Sequence, residues 1–144
     1  MNGDESDGYD EALVYDDENI IDDVLVTHLV NNKNPENIIT LLTDARHKDV
    51  IWNMHEKAED GRPIPPGVRS LSAERRFQTM TKTLDEDVRV EKGAFVHAIT
   101  EALRSDAKAT PRSFEQLVTD RMREVGQAYT FGTTSPELVD LPLL

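Results

Sequence analysis

Apolar residues recur at helical spacing along much of the chain, and this pattern predicts a mainly α-helical protein. In residues 17–31 the apolar positions follow i, i+1, i+4, i+5 and i+9, and they are Ile20, Ile21, Val24, Leu25 and Leu29. One face of an amphipathic helix carries apolar residues at this spacing. A strand remains the alternative for this segment because Val24, Val26 and Val30 are β-branched.

Two further helix starts are marked by a capping residue followed by proline. Asn34-Pro35 forms the first start and Thr110-Pro111 the second. Asn and Thr side chains accept hydrogen bonds from the first helical turn, and proline suits its first position because no N–H is needed there. The first start predicts helical structure over residues 35–59, as one helix or as two. The second predicts the last helix of the chain.

Two apolar stripes predict helices between these starts. One helix is expected from Ser70 or Ser72 to about Leu84, and the next follows the acidic triplet at 85–87. The core stripe of that second helix is formed by Val90, Ala94, Phe95, Ala98, Ile99, Ala102 and Leu103. The residues expected to be buried in the two helices after position 87 are Phe95, Ile99, Leu117 and Val118.

The predicted fold is therefore mainly α, a small bundle of about five helices. The helical domain spans residues 17–129 and contains an irregular connector at 61–69, where three prolines and two glycines exclude a helix. Residues 1–16 are predicted to form an acidic N-terminal arm. Residues 130–144 are predicted to form an extended, apolar C-terminal tail.

The net charge of −12 is concentrated near the start of the chain. Residues 1–32 hold 10 of the 28 acidic residues and no Lys or Arg, whereas the remaining 18 acids face 16 bases. An acidic arm repels nucleic acid and anionic membranes and attracts a basic protein surface. Residues 61–92 carry seven bases and five acids, which predicts a mixed-charge surface for a protein. Direct nucleic-acid binding is therefore not expected.

The sequence also indicates the compartment. It contains no cysteine, which excludes disulfide bonds and thiolate metal sites and favours a reducing environment. Neither a signal peptide nor an apolar run of roughly 20 residues, the length that spans a bilayer, is found. We expect a soluble protein that is cytoplasmic, or part of the virion if the protein is viral, with no membrane contact.

No motif predicts catalysis, a metal site or a cofactor. The histidines His28, His47, His55 and His97 lack the spacing of three or four residues that places two zinc ligands on one helix face. His28 is expected at the boundary of the core. The acidic run at 4–10 has no Glu at the position that a calcium loop requires. Phosphate loops and nucleophile elbows are absent as well.

Both ends of the chain carry the candidate partner-binding residues. Aromatic and aliphatic side chains alternate with acids near the start, and leucines are concentrated at the end. A purely solvated tail needs neither feature. The C-terminal leucines either fold back onto the protein's own body or fill a partner's groove. The candidate residues are Tyr9, Leu13, Tyr15, Leu138, Leu141, Leu143 and Leu144.

A small folded body with two terminal extensions resembles the arm-bearing minor components of viral particles. We interpret the protein as a non-enzymatic structural or adaptor subunit of a larger assembly, such as a phage or virus particle, whose arms bind neighbouring protein subunits. The alternative is an acidic regulatory protein that binds and occludes a basic site on a nucleic-acid-processing enzyme. Salt screens the second kind of contact far more strongly than the first.

Overall fold

The computed structural model contains both strands and helices. The structure describes residues 12–15, 18–44, 52–75 and 93–144. Its elements are β1 (Ala12–Tyr15), β2 (Glu18–Ile21), α1 (Asp22–Asn32), β3 (Ile39–Asp44), β4 (Val68–Arg75), α2 (Ala94–Ser105), α3 (Pro111–Glu124), β5 (Gln127–Thr133) and a 3₁₀ helix (Pro136–Asp140). The prediction of a mainly α bundle of about five helices is therefore wrong, as is the description of the protein as helical. The fold is α/β.

The central layer is a mixed sheet with the strand order β3-β4-β5. Strand β3 runs parallel to β4 with Ile39 opposite Val68, and β5 runs antiparallel to β4 with Thr133 opposite Arg69. The middle strand, β4, replaces the first part of the helix predicted from Ser70 or Ser72 to about Leu84, and the rest of that helix lies outside the described residues. Residues 68–73 are all buried, and a strand that is covered on both faces lacks the polar–apolar alternation that identifies most strands.

Strand β3 also replaces a predicted helix. Asn34 does accept a hydrogen bond from a following N–H group, that of Glu36 at 3.0 Å, as a capping residue would. The backbone then turns, since the N–H of Asn37 donates to the carbonyl of Asn34 at 3.1 Å. Asn side chains stabilise such turns as readily as helix starts. Strand β3 follows, and the described part of residues 35–59 contains no helix.

Three of the predicted helices are confirmed in the described residues. Helix α1 covers most of the first predicted helix, although residues 18–21 belong to β2 instead. Helix α3 lies where its apolar stripe places it, and α2 covers its predicted stripe from Ala94 onwards, whereas Val90 lies outside the described residues. Helix α3 begins with a capping box, in which Thr110 Oγ1 accepts from Ser113 N at 3.1 Å and Ser113 Oγ accepts from Thr110 N at 2.8 Å. His28, in α1, is exposed, so its expected position at the core boundary is wrong.

The sheet is covered on both faces. Helices α2 and α3 pack on one face, against Leu71 and Ala73 of β4. Phe95, Ile99 and Val118 are buried there, as predicted, whereas Leu117 is only partly buried against this cluster. Helix α1 and the loop before β4 cover the opposite face, through a second cluster centred on Val26, Ile64 and Val68.

The proline-rich connector is irregular up to Gly67, as predicted, and β4 begins at the next residue. Gly67 has a φ of 86°, a conformation that L side chains rarely adopt. A Cβ atom at this position would also lie 3.1 Å from Lys33 Nζ and 3.2 Å from the carbonyl oxygen of Asn37. Glycine therefore allows the connector to pass close to the α1–β3 turn.

Candidate functional site

Arg69 is a charged residue in the centre of the sheet, and its side chain is only 2% exposed. It lies opposite Thr40 of β3, so both side chains leave the same face of the sheet. Arg69 Nε donates to Thr40 Oγ1 at 2.9 Å. Burial lowers the pKa of Arg69, but a guanidinium remains protonated in proteins. The buried charge therefore requires further acceptors.

The C-terminal segment, residues 134–144, supplies those acceptors. Arg69 Nη1 donates to the carbonyl oxygens of Leu138 at 2.8 Å and Leu141 at 2.5 Å, and Nη2 donates to that of Pro142 at 2.8 Å. The Leu138 carbonyl also accepts from the N–H of Leu141 at 3.3 Å, whereas Leu141 and Pro142 follow the 3₁₀ helix, where a guanidinium is a strong donor to their carbonyls. On the surface, Arg112 Nε forms an ion pair with Asp140 at 2.6 Å.

The predicted extended tail from Thr130 to Leu144 is therefore not a single extended segment. Its first four residues belong to β5, and five more form the 3₁₀ helix. The segment folds back onto its own body, which was one of the two alternatives left open by the sequence. The prediction that Arg69 belongs to a mixed-charge surface is wrong, because this residue is buried. The available signal was a single arginine within a run of small and apolar residues, Val68 to Ala73.

The four C-terminal leucines divide into two pairs. Leu138 is buried, and Leu143 packs against the α2–α3 core. Leu141 is 38% exposed and Leu144 is 85% exposed. The first pair attaches the segment to the body, whereas the second pair presents apolar surface to the solvent.

A groove of about 330 Å³ lies beside the C-terminal segment. The α1–β3 turn and the end of the proline-rich connector form one wall, and the 3₁₀ helix and Leu141 form the other. Ile38 lines the groove and is 49% exposed, so it forms an apolar surface together with Leu141. Two carboxylates, those of Glu36 and Glu137, also line the groove. We call this feature the tail groove.

The N-terminal candidates are placed only in part. Tyr9 lies outside the described residues. Leu13 and Tyr15 belong to β1, which pairs with β2 in an antiparallel hairpin that sets Leu13 opposite Ile20 and Tyr15 opposite Glu18. Ile20 and Glu18 are exposed. The structure does not bring this hairpin into the same sheet as β3, β4 and β5.

A second cavity, of about 400 Å³, lies between α2 and α3. His97, Arg121 and Glu124 line it. Arg121 Nη2 and Nε donate to the two carboxylate oxygens of Glu101 at 3.1 and 3.2 Å. This pairing lowers the pKa of Glu101 and raises that of Arg121. The charge of Arg121 is therefore paired with a carboxylate of the same helix pair.

The described residues contain neither a cluster of metal ligands nor a membrane-spanning helix. No three His, Asp or Glu side chains in that part of the chain converge as metal ligands do. No helix there is long and apolar enough to cross a bilayer. Compared with known proteins, the chain matches no protein-family model, no curated protein and no solved structure.

Proposed function

We propose that the protein is a non-enzymatic structural or adaptor subunit of a larger protein assembly, such as a phage or virus particle, and that its terminal segments bind neighbouring subunits. The observation that best supports this proposal is the arrangement of the C-terminal segment. Arg69 holds its backbone through three carbonyl groups, while Leu141 and Leu144 remain exposed.

An attached segment binds a partner at lower entropic cost than a disordered one. Ordering a free peptide costs roughly 1–2 kcal/mol per residue of backbone, whereas burying one leucine contributes about 1.5–3 kcal/mol. Because the segment is already held on the body, most of that ordering cost falls on folding and not on association. Two exposed leucines are then enough for a useful contribution to binding.

The N-terminal segment provides the second contact in this proposal. Strands β1 and β2 form a hairpin whose exposed positions include Ile20 and Glu18. Within the described part of the chain, the hairpin pairs with no strand of the central sheet. The edges of the hairpin are therefore available to a neighbouring subunit. Leu13 and Tyr15 belong to β1, the first strand of this hairpin.

Deletion of residues 1–16 tests this N-terminal contact. The deleted residues include β1, which pairs only with β2 among the described strands, so the melting temperature of the truncated protein should stay close to that of the full chain. Its recovery with the native assembly should fall. Full recovery of the truncated protein in the assembly would refute a role for this segment.

The acidic regulatory protein is the second candidate function, and the charge distribution supports it. Residues 1–32 carry 10 acids without a single base. Binding through these charges should weaken steeply between low and high salt, because ions screen exposed charges over about 10 Å at 0.1 M. Association that is insensitive to salt favours the structural subunit, and a steep salt dependence favours the regulator.

A further inference from the structure

We propose that the outer edge of β3 is a binding site for an extended segment of a partner protein, which adds to the sheet as a further strand and carries apolar and basic side chains. This site is distinct from the terminal segments. It rests on the proposed function only in requiring that the protein binds other proteins.

The backbone of β3 has one side engaged and one side open. The N–H of Ile39 donates to the carbonyl of Gly67 at 2.9 Å, which directs this residue towards β4. In a parallel pair, alternate residues face the same neighbour, so Leu41 and Thr43 also face β4. The N–H and C=O groups of Thr40 and Leu42 therefore point away from the sheet. No strand of the described chain pairs with this side of β3.

The side chains along this edge are apolar and accessible. Ile38, Thr40 and Leu42 share one face because side chains alternate along a strand. Leu42 is 47% exposed, comparable with Ile38. Soluble proteins usually protect an open edge with a charged residue, a proline or a bulge. Strand β3 contains no proline, and its single charged residue is Asp44 at its last position.

The opposite edge of the sheet differs in this respect. Strand β5 carries no exposed side chain, since each of its residues is buried or partly buried. A strand added at the edge of β5 would therefore contact little exposed apolar surface. Strand β3 combines open backbone groups with exposed apolar side chains, as peptide binding by strand addition requires.

The charges nearby define the chemistry of the partner segment. Glu36 and Glu137 line the tail groove at the start of β3. Lys33, the base at this end, is turned towards the carbonyl oxygens of Asn34 and Asn37. The edge therefore favours Lys or Arg at the end of the bound segment that meets the groove. A second copy of this chain would instead bring a further pair of these carboxylates and another net charge of −12.

A random dodecapeptide library displayed on phage is the probe for this site, with the full-length protein as the target. Enriched peptides should alternate apolar residues with others and carry Lys or Arg. Synthetic peptides of the enriched sequences should bind Leu42→Pro and Leu42→Lys at least about tenfold more weakly, a difference of about 1.4 kcal/mol. Leu42→Pro removes an outward N–H, and Leu42→Lys keeps that group but adds a repelling charge. Val96→Lys is the matched control because Val96, on α2, is also 47% exposed.

Hydrogen exchange identifies the mode of binding. On addition of an enriched peptide, the amides of Thr40 and Leu42 should exchange more slowly. Enrichment of acidic peptides, or affinity that is unchanged in both Leu42 variants, would overturn the proposal. So would a failure to enrich any peptide that is sensitive to Leu42. Self-association of the wild-type chain that Leu42→Pro abolishes would overturn it in favour of a second copy.

The same variants separate this inference from the proposed function. If the Leu42 variants are recovered in the native assembly as fully as the wild type while Leu144→Asp is not, the β3 site is refuted and the role of the terminal segment stands. If the Leu42 variants and Leu144→Asp are all recovered as fully as the wild type, both the β3 site and the proposed function fail.

Discussion

The guanidinium of Arg69 donates to the main-chain carbonyl of Leu141, 72 residues further along the chain, at 2.5 Å. This contact joins the middle strand of the sheet to the C-terminal segment. Among the described residues, the acceptors of this buried positive charge are backbone carbonyls and the hydroxyl of Thr40. The position of the exposed leucines therefore depends on Arg69 together with the packing of Leu138 and Leu143.

Replacing Arg69 with methionine should release the C-terminal segment. Methionine fills much of the same volume but donates no hydrogen bond, so the carbonyls of Leu138, Leu141 and Pro142 lose the guanidinium as a donor. The loss of unfolding free energy should be at least about 1.5–3 kcal/mol, the value of one hydrogen bond to a charged group. Urea unfolding measures this loss, and hydrogen exchange of the amides after residue 137 should accelerate.

Arg112→Met is the control for that experiment. Its ion pair with Asp140 contacts the same segment, but both side chains are exposed. Exposed ion pairs contribute little to stability. Stability and exchange should stay close to those of the wild type. If the two arginine variants behave alike, Arg69 does not hold the segment.

Phe95→Ala should destabilise the protein by about 3–5 kcal/mol, because it leaves a cavity in the α2–α3 core. Phe95 is fully buried and packs near Tyr129, with ring centroids 6.1 Å apart. Val96→Ala changes the adjacent, exposed position and should have little effect. Thermal or urea unfolding compares the two variants. An unchanged midpoint for Phe95→Ala would show that α2 presents a different face to the sheet.

Tyr129 makes stability depend on pH in the alkaline range. Its hydroxyl is buried without a hydrogen-bond partner, and burial raises the pKa of Tyr129 above the ordinary value of 10.0. The folded state therefore holds the phenolic proton more tightly than the unfolded state does. The resulting stability is fully present below pH 10 and is lost as the pH rises above it. In Tyr129→Phe this loss should be absent.

Unfolding free energies measured from about pH 9 to about pH 11 provide the test. The wild type should lose more stability over this range than Tyr129→Phe. At neutral pH the variant should be as stable as the wild type or more stable, because an unsatisfied buried hydroxyl is removed. Parallel pH profiles would contradict a buried, neutral Tyr129.

Thr110→Ala should cost about 0.5–2 kcal/mol, the usual effect of removing a side-chain cap. Thr110 Oγ1 accepts from the N–H of Ser113 at the start of α3. Thr100→Ala is a suitable comparison, since Thr100 Oγ1 donates to the carbonyl of Val96 within α2 and caps no helix end. A mid-helix bond of this kind contributes little to helix stability. Equal destabilisation by the two changes would argue against the capping box.

The sequence predicts α2 and α3 correctly because their signals are local. Helix α3 has a capping threonine and a proline at its start, and both helices have an apolar face of helical period. Strands β3 and β4 are missed for the opposite reason. The buried positions 68–73 show no alternation, and Asn34-Pro35 stabilises a turn that resembles a helix start locally. Which structure forms is decided by pairing between strands that are distant in the sequence.

The candidate site depends even more on distant contacts. The apolar composition of Leu141 to Leu144 identifies the C-terminal segment as a contact region from sequence alone. Sequence cannot indicate which leucines are buried, because that depends on Arg69 and on the α2–α3 core. The open edge of β3 is likewise defined only after β3 is recognised as a strand.

Recovery of Leu144→Asp in the native assembly tests the central claim most directly. Leu144 is 85% exposed, and Arg69 binds the carbonyls of other residues, so this change should leave the melting temperature unaltered. Val96→Asp is the matched control on α2. Tagged proteins would be expressed in the native source and isolated with their co-eluting subunits. The proposed function predicts that Leu144→Asp loses those subunits while Val96→Asp retains them, and equal recovery of both variants would contradict it.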